Sequence, residues 1–338
     1  MNLGLENARG DYVAYLSDGH IWHSNHLETL VAVLDGNASC GAAYSDSYEV
    51  DYVKGRDGRR IPLQKRVRCS RDFSRNLMFA SNHVHTASMM HRRGVAKRAG
   101  GHNEAITAFI DRSLPRKLAY LTDLLHVSKV TGEYYVPARS SRWPSLKGPD
   151  TPESIARQLR LLRADHPPEP WPKISKVAVV LPVRQWDDRI RRIVRYFADQ
   201  LDYPCYLVIV NQASGTKNQA GRRSLGSPGS LDHIRIIRGE SNAAPPQAYG
   251  MAARSIQADY YYLASRRLCL ETKHRLLNGI TYLRHGQLGA VRWEMDEASC
   301  RYGDLLTDGK NLLDGDLSRQ VATGSLDAIP RYAKPPAM

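Results

Sequence analysis

The sequence predicts an α/β protein made of two units that a helical linker joins. Three observations favour this fold class. The chain opens with a strand, a polar turn and an amphipathic helix, a nearly continuous apolar run starts a β-α-β pattern at residue 177, and the two ends repeat one order of elements. We expect a first unit over 1–136, a linker with one helix over 137–175, a second unit over 176–290 and an irregular tail over 291–338.

Length and composition are those of a folded protein. A length of 338 residues allows two or three domains, and 42% hydrophobic with 24% charged residues is ordinary for a globular chain. The longest apolar runs fall well short of the about 20 residues that a membrane-spanning helix needs, and the first residues lack the regions of a secretory signal. Five cysteines stand singly with no C-x-x-C pair, which favours reduced thiols. These features predict a cytoplasmic protein.

The charge of the chain bears on its partners. A net charge of +14, from 48 basic and 34 acidic side chains, suits phosphate-bearing partners such as nucleotide sugars, anionic glycans, nucleic acid or acidic lipid surfaces. Basic runs occur at Arg59-Arg60, Arg189–Arg195 and Arg222-Arg223, but no recognised nucleic-acid-binding module accompanies them. Nucleic acid is therefore not an expected partner, whereas contact with a membrane surface or a partner protein stays open.

The first elements are predicted to be a buried strand, a polar turn and a helix. Residues from Asp11 to Leu16 are rich in β-formers and stop at the turn Ser17-Asp18-Gly19. This polar turn is where we expect the chemistry to lie. Asn25 is a good N-cap, and the helix after it ends before Gly36, with an apolar face formed by Leu27, Leu30, Val31 and Leu34.

The rest of the first unit adds a strand pair, a helix and a last strand region. Cys40 to Val53 predicts a strand that turns back at Asp57-Gly58, a good hairpin signal. Phe109 to Tyr120 predicts an amphipathic helix that Pro115 interrupts. Leu125 to Val136 predicts one or two strands, so the unit is expected to end there.

The linker and the second unit follow. Thr151 as N-cap and Pro152 in the first turn predict the linker helix. Val177 to Val183 is an apolar run of the kind that parallel sheets bury. A helix and the strand Tyr206–Val210 come next, and this β-α-β order implies a right-handed crossover. The remaining predicted elements are strands at Ile234–Ile237 and Tyr260–Leu263 and a helix at Ala248–Gln257.

Two stretches carry a family resemblance. The segment from Asn2 to Leu16, followed by Ile21-Trp22, resembles the centre of a family 2 glycosyltransferase domain. Val179–Val183 and Val208–Ser214 resemble the opening strand and the nucleotide-contacting strand of the same family. The resemblance implies a Rossmann-like GT-A fold, with an acceptor half in the N-terminal unit and a nucleotide half in the C-terminal unit. Because the family has these halves in the opposite order, we expect either a truncated piece of a tandem-domain protein or two halves that pack as a permuted unit.

The resemblance implies transfer of a sugar from a nucleotide diphospho-sugar to a glycan or other hydroxyl acceptor. The family neutralises the diphosphate with Mg²⁺ or Mn²⁺ held by a Leu-Asp-x-Asp-Asp turn. The matching turn here is Leu16–His20, which keeps one carboxylate, so Asp18 and His20 are the candidate metal ligands. The alternative is that Asp18 caps the turn. In the second unit the turn Ala264–Arg267 has no carboxylate, and it either grips phosphate through arginine or is a solvated basic loop.

The resemblance also implies a catalytic base and a nucleotide cradle. Asp111 matches the base of the family, although its neighbours Ile110 and Arg112 replace a glutamate and a tryptophan. The alternative is a helix-start aspartate that the helix dipole favours. Pro182 and Asn211 match the nucleotide cradle. Because both metal turns are eroded, a catalytically inactive binding module is the rival function.

The histidines form two groups in the sequence, and neither predicts a metal centre. The first group recurs every three residues with no cysteine nearby, so surface or cap roles are favoured over zinc. For the second group we expect local packing to outweigh catalysis. The first group is His20, His23 and His26, and the second is His83, His85 and His91.

Overall fold

The structure, a computed structural model, divides the chain into two compact units, Met1–Ile174 and Ser175–Met338. It describes residues 1–68, 70–138, 151–199, 203–212, 234–241, 243–264, 276, 280, 283, 290–293 and 304–308. Both units combine helices with a sheet, which confirms the α/β class. The predicted basic turn at 265–267 and the pair Arg222-Arg223 lie outside the described residues.

The described part of the first unit is built on one sheet. Its strands are β1 Tyr12–Ala14, β2 His20–Trp22, β3 Ala42–Lys54, β4 Arg60–Arg68, β5 Met89–Arg92 and β6 Leu124–Pro137. Their order is β1-β5-β3-β6-β2, with β4 paired to β3. The long strand β3 pairs antiparallel with β5 and then with β4, and it runs parallel to β6. The helices are α1 Asn2–Asn7, α2 His26–Asp35, α3 Arg75–Ala80, α4 Arg93–Arg98, α5 Ile110–Leu121 and α6 Pro152–Ala164, with a 3-10 turn at Thr86–Ser88.

Helix α2 covers one face of this sheet. Leu30 and Leu34 are fully buried, because a spacing of four residues places both on one helical face. They pack with Ala43 of β3 and Met90 of β5. Burial of each leucine contributes about 1.5–3 kcal/mol, so this contact fixes the helix above the strands that follow the polar turn.

Strands β3 and β4 form the predicted hairpin. Gly55 N–H donates to the Arg59 carbonyl at 2.8 Å, and Gly58 N–H donates to the Gly55 carbonyl at 3.0 Å. Gly58 has a φ of 79°, a conformation that glycine adopts without steric cost. The structure therefore confirms the turn that Asp57-Gly58 predicted.

Helix α6 packs into the first unit. The Thr151 hydroxyl accepts from Ser154 N–H at 3.2 Å and Pro152 stands in the first turn, as the sequence predicted. Leu162 of this helix is buried with Ile106, Ala108 and Phe109. The sequence predicted the helix, but its docking depends on a tertiary contact that local patterning does not contain.

The second unit has a sheet that is parallel on one side. Its strands are β7 Val177–Val183, β8 Tyr206–Asn211, β9 Ile234–Arg238, β10 Tyr260–Leu263, β11 Ala290–Trp293 and β12 Asp304–Asp308. The order is β11-β12-β10-β7-β8-β9, in which β7 to β10 are mutually parallel. Helices α7 Asp188–Asp199 and α8 Pro245–Ser255 follow β7 and β9 in the chain. Ala248 and Ala252 of α8 are fully buried in a core with Val180, Val208 and Tyr261.

The prediction of an irregular tail over 291–338 is wrong in part, because residues 291–293 and 304–308 belong to strands. Strand β12 pairs antiparallel with β10, from Tyr260↔Asp308 to Leu263↔Leu305. Strand β11 pairs antiparallel with β12 in turn. A run of five residues carries too little periodicity to be recognised, and it becomes a strand because β10 offers it an edge.

The Asp-Tyr strands of the two units have similar neighbours. In the first unit β1 pairs antiparallel with β5, which pairs antiparallel with β3. In the second unit β10 pairs antiparallel with β12, which pairs antiparallel with β11. The other edge of β10 carries the parallel strand β7, whereas no described strand pairs with the other edge of β1. The units therefore share a three-strand arrangement and differ in what lies beside it.

None of the helices in the described ranges is both long and apolar enough to cross a membrane.

Candidate functional site

Asp111, the base that the family resemblance implies, lies in the first turn of α5. The residue before the helix, Phe109, has a φ of 58° in the left-handed region. That conformation is costly for a bulky residue and persists only where packing enforces it. Phe109 is buried, and the Arg112 guanidinium lies 5.2 Å from its ring centroid. Packing around Phe109 therefore fixes the direction in which Asp111 enters the helix.

Pro115 explains how Asp111 is held. The sequence predicted that Pro115 interrupts this helix, but α5 runs through it from Ile110 to Leu121. Since proline has no N–H, the carbonyl four residues earlier, that of Asp111, lacks its helical donor. Thr86 Oγ1 donates to this carbonyl at 3.0 Å, and Asn82 Nδ2 lies 3.3 Å from both the carbonyl and Oδ2 of Asp111. The freed carbonyl thus anchors the segment 82–86 beside the carboxylate.

His85 joins the start of α5 to the polar turn after β1. Its ring stacks on Tyr134 with centroids 4.6 Å apart and lies 5.1 Å from the ring of His20. Burial lowers the pKa of His85 to about 4, although the Asp111 carboxylate acts in the opposite direction. His85 is therefore neutral at pH 7. The structure brings Asp111, His85 and His20 into one neighbourhood, and the sequence had assigned His85 only a packing role.

The buried carboxylate of Glu49 supports the stacked rings of His85 and Tyr134. Glu49 accepts hydrogen bonds from the Tyr134 hydroxyl and from the guanidinium groups of Arg66 and Arg68. Burial alone would raise the pKa of Glu49, but the Tyr134 and Arg66 hydrogen bonds and the Arg68 charge bring it below its usual value. Glu49 is therefore ionised and holds Tyr134 in position under His85. Its place opposite β4 depends on the strand register, which local sequence does not reveal.

Asp18 and His20 were the predicted metal ligands. The Asp18 carboxylate is fully exposed and lies 3.7 Å from the Arg60 guanidinium. His20 Nδ1 lies 2.7 Å from Ser17 Oγ, while His20 Nε2 is buried and has no hydrogen-bond partner among the described residues. Among the side chains that the structure describes, no group of three His, Cys, Asp or Glu could hold a metal ion. This surrounding does not fit a divalent cation, which requires several oxygen ligands around one point.

The second unit gathers polar groups where its parallel strands end. Gln212 N–H donates to the Val183 carbonyl at 2.7 Å, and Gly239 N–H donates to the Asn211 carbonyl at 2.8 Å. Pro182 stands near the end of β7, beyond the residues of β7 that pair with β10, so its missing N–H removes no bond to that strand. The predicted residues Pro182 and Asn211 therefore lie on neighbouring strands at one edge, the carboxyl edge of β7 and β8.

Gln212 closes this carboxyl edge, although the sequence alone did not predict a role for it. Its side chain is buried, and Nε2 donates to the Ala243 carbonyl at 2.8 Å. Arg184 Nη2 donates to the same carbonyl at 3.2 Å. A Cβ on Gly239 would lie 3.0 Å from Gln212 Cγ and 2.8 Å from Val210 Cγ1, so glycine allows this close approach. A polar residue directly after a buried strand was the available signal for Gln212.

The histidines predict a pH dependence of stability. Burial lowers the pKa of His85, His26 and His102 to about 4, against the ordinary value of 6.5. Between these values the unfolded chain binds more protons than the folded one, so the free energy of unfolding rises with pH from about 4 to 6.5. His126 acts in the opposite sense, because Asp46 and Asp72 raise its pKa against the effect of burial. The lowered set also includes His20, His83, His91 and His166.

We therefore expect chemical unfolding to show a less stable first unit at pH 4.5 than at pH 7. The variant His102→Asn removes one of the groups that must be charged on acid unfolding, so it should flatten this pH dependence. The exposed substitution Glu28→Gln serves as the control. A free energy of unfolding independent of pH over this window would contradict the prediction.

Comparisons with known proteins give partial structural likenesses. The mannosyltransferase PcManGT from Pyrobaculum calidifontis, solved with GDP-Man and Mn²⁺, is similar over 48% of this chain and 55% of its own, at 15% identity and a TM-score of 0.39. Glucosyl-3-phosphoglycerate synthase from Mycobacterium tuberculosis, solved with phosphoglyceric acid, is similar over 46% of this chain and 69% of its own, at 12% identity and a TM-score of 0.35. For TarS of S. aureus the shares are 42% and 49%, at 13% identity and a TM-score of 0.34. The chain thus spans about half the length of the first and third of these structures. No family model and no curated protein sequence matches the chain.

Proposed function

We propose that the protein is a glycosyltransferase of family 2, GT-A type, which transfers a sugar from a nucleotide diphospho-sugar to a glycan or other hydroxyl acceptor. The observation that carries this proposal is the sheet of the second unit, in which the strand order reverses between β7 and β10. Open α/β sheets bind ligands outside the carboxyl ends of their strands at such a reversal. Pro182 lies on β7, which borders this reversal, and Asn211 ends β8 on the other side of β7, so the resemblance of these strands favours a nucleotide site at this end of the sheet.

The nucleotide is assigned to the carboxyl edge of β7 and β8. Arg184 follows Pro182 by two residues, and its guanidinium geometry suits a diphosphate. Asn211 ends the neighbouring strand and would contact the base or ribose. Gln212 lies buried beneath this site and donates a hydrogen bond to the Ala243 carbonyl. The described residues do not fit Mg²⁺ or Mn²⁺, and the Arg184 guanidinium is the group expected to neutralise the diphosphate.

The acceptor chemistry is assigned to the first unit, with Asp111 as the base. In this class of transfer a carboxylate base takes the proton of the acceptor hydroxyl while the hydroxyl oxygen bonds to the anomeric carbon, and Asp111 is the carboxylate of the first unit that the resemblance matches to this base. The bond between that carbon and the diphosphate breaks, and the nucleoside diphosphate leaves with the electron pair. Asn82 at Oδ2 orients the carboxylate. Because His85 is neutral at pH 7, it does not pair with Asp111 as a cation.

A catalytically inactive, cytoplasmic binding module is the second candidate. The observation that favours it is the exposed single carboxylate of the turn at Asp18, which faces Arg60. Such a module would bind the nucleotide or a partner without turnover. The two candidates differ in turnover: the enzyme transfers a sugar and needs Asp111 for this step, whereas the binding module shows no transfer with or without Asp111.

Calorimetric titration of the whole chain with UDP, GDP and dTDP, each with and without Mn²⁺, tests the nucleotide assignment. We expect micromolar binding of one nucleotide, with similar affinity in both conditions, because arginine replaces carboxylates around the diphosphate. Arg184→Gln should weaken this binding about tenfold, since a charged hydrogen bond contributes about 1.5–3 kcal/mol. Arg157→Gln, in helix α6 of the other unit, is the control. Absence of binding under every condition would overturn the enzyme proposal.

A further inference from the structure

The hairpin of β3 and β4 exposes aliphatic side chains at its tip. Val53 is 40% exposed, Ile61 49% and Leu63 59%, and every residue of β4 is exposed. Within the described chain β4 pairs with β3 alone. Val53 and Ile61 are directly opposed in the ladder, so their side chains share one face. Aliphatic groups grouped on an exposed projection mark a contact surface more often than scattered ones do.

Cations surround these aliphatic groups. Residues 53–63, called the hairpin tip below, hold Lys54, Arg56, Arg59 and Arg60 against the single carboxylate of Asp57. Lys54 and Arg56 have no ion-pair partner among the described residues. Arg59 lies 3.5 Å from the Asp57 carboxylate. The hairpin tip is therefore both positive and aliphatic.

The turn that carries the hairpin tip is preformed. Gly55 is bonded to Arg59 across the turn, and Asp57 Oδ1 accepts from Arg59 N–H at 3.1 Å. A Cβ on Gly55 would lie 2.8 Å from that same Asp57 oxygen, so a larger residue there would displace the Asp57 side chain from the Arg59 N–H. A surface that is already ordered loses little conformational entropy on binding.

We propose that the hairpin tip docks on an anionic lipid surface. Val53, Ile61 and Leu63 insert between head groups, while Lys54, Arg56 and Arg59 contact lipid phosphates. Anionic lipids attract basic segments, and the apolar side chains add burial at the boundary of the acyl chains. Single-stranded nucleic acid is disfavoured, because proteins bind it by stacking bases on aromatic side chains, and the hairpin tip has none. The inference is independent of the proposed transfer reaction.

Cosedimentation of the whole chain with vesicles tests the proposal. One set of vesicles is phosphatidylcholine alone, and the other contains phosphatidylcholine and phosphatidylserine in equal parts. We expect binding to the second set only, and weaker binding at higher salt. The double variant Ile61→Ser with Leu63→Ser, which leaves the charge unchanged, should weaken binding at least about tenfold. Lys54→Gln with Arg56→Gln should weaken it as well.

The matched control is Leu3→Ser with Leu27→Ser, which removes two exposed leucines outside the hairpin tip and should bind like the unmodified chain. Circular dichroism shows whether each variant keeps its fold. Failure of the chain to bind anionic vesicles would overturn the proposal. So would undiminished binding of the Ile61 and Leu63 double variant, since that result would leave only diffuse charge attraction. Binding to an acidic protein without binding to the anionic vesicles would also overturn the proposal.

Discussion

Replacing Asp111 with asparagine is expected to lower sugar transfer about 10²–10⁴-fold, the usual contribution of a general base. An asparagine keeps the size of the side chain, and its carbonyl oxygen still accepts from Asn82, so the start of α5 stays in place. What is lost is the group that takes the acceptor proton. Nucleotide binding by the second unit should be unchanged, because the variant does not alter any residue of the carboxyl edge. Transfer is measured by release of the nucleoside diphosphate from a panel of nucleotide sugars and acceptors.

Two comparisons make this result decisive. Glu28→Gln removes an exposed carboxylate from the first turn of another helix of the same unit, and it should retain full transfer. Asn82→Ala keeps the base but loses its orienting hydrogen bond, so we expect a smaller fall in turnover. Full transfer by Asp111→Asn would contradict the role of the base. Nucleotide binding without any transfer by the unmodified chain would instead favour the inactive module.

Replacing Asp165 with alanine is expected to destabilise the first unit by about 3–5 kcal/mol, the cost of leaving a buried charge without its partner. Lys117 Nζ lies 3.1 Å from Asp165 Oδ1, and both side chains are almost completely buried. Ser113 Oγ also donates to this carboxylate, at 2.7 Å. The variant would thus leave an ammonium and a hydroxyl buried without their acceptor. Chemical unfolding measures the loss in the free energy of unfolding, and hydrogen exchange at the amides of β3 and β6 shows whether the sheet of the first unit is destabilised.

The matched control for Asp165 lies on the helix before it. Glu153→Ala removes an exposed carboxylate near the start of α6 and should cost less than about 1 kcal/mol. The double variant Lys117→Met with Asp165→Leu should recover much of the stability, because it removes both buried charges together. A loss for Asp165→Ala no larger than that for Glu153→Ala would show that α6 does not depend on this ion pair for its place in the first unit.

Elements with a strong local pattern could be predicted from the sequence. The run from Val177 to Val183 became the buried strand β7, and Asp57-Gly58 became the hairpin turn. Asp111 was identified by its resemblance to a motif and lies at the start of a helix, as expected. In these cases a few consecutive residues contain the whole physical cause, whether apolar run, turn chemistry or helix start.

Features that depend on distant partners could not be predicted. His85 lies beside Asp111 because the segment 82–86 bonds to a carbonyl more than twenty residues away. Gln212 is buried because it reaches Ala243 across the carboxyl edge. Strand β12 exists because β10 offers it an edge. Each depends on register or docking, and a single sequence without its fold carries no direct signal for either.

Pro115 has a consequence for anyone who engineers this protein. Helix propensity recommends alanine at an interior proline, with a gain of about 3 kcal/mol for an isolated helix. Here the same exchange would return the Asp111 carbonyl to a donor inside the helix and set it in competition with Thr86 and Asn82. A substitution chosen to raise the melting temperature would thereby weaken the hydrogen bonds of Thr86 and Asn82, which orient the Asp111 carboxylate. In this helix the missing N–H of Pro115 is what leaves the Asp111 carbonyl free to bond to Thr86 and Asn82. Replacing Pro115 would make the helix more regular and weaken its contact with the segment 82–86.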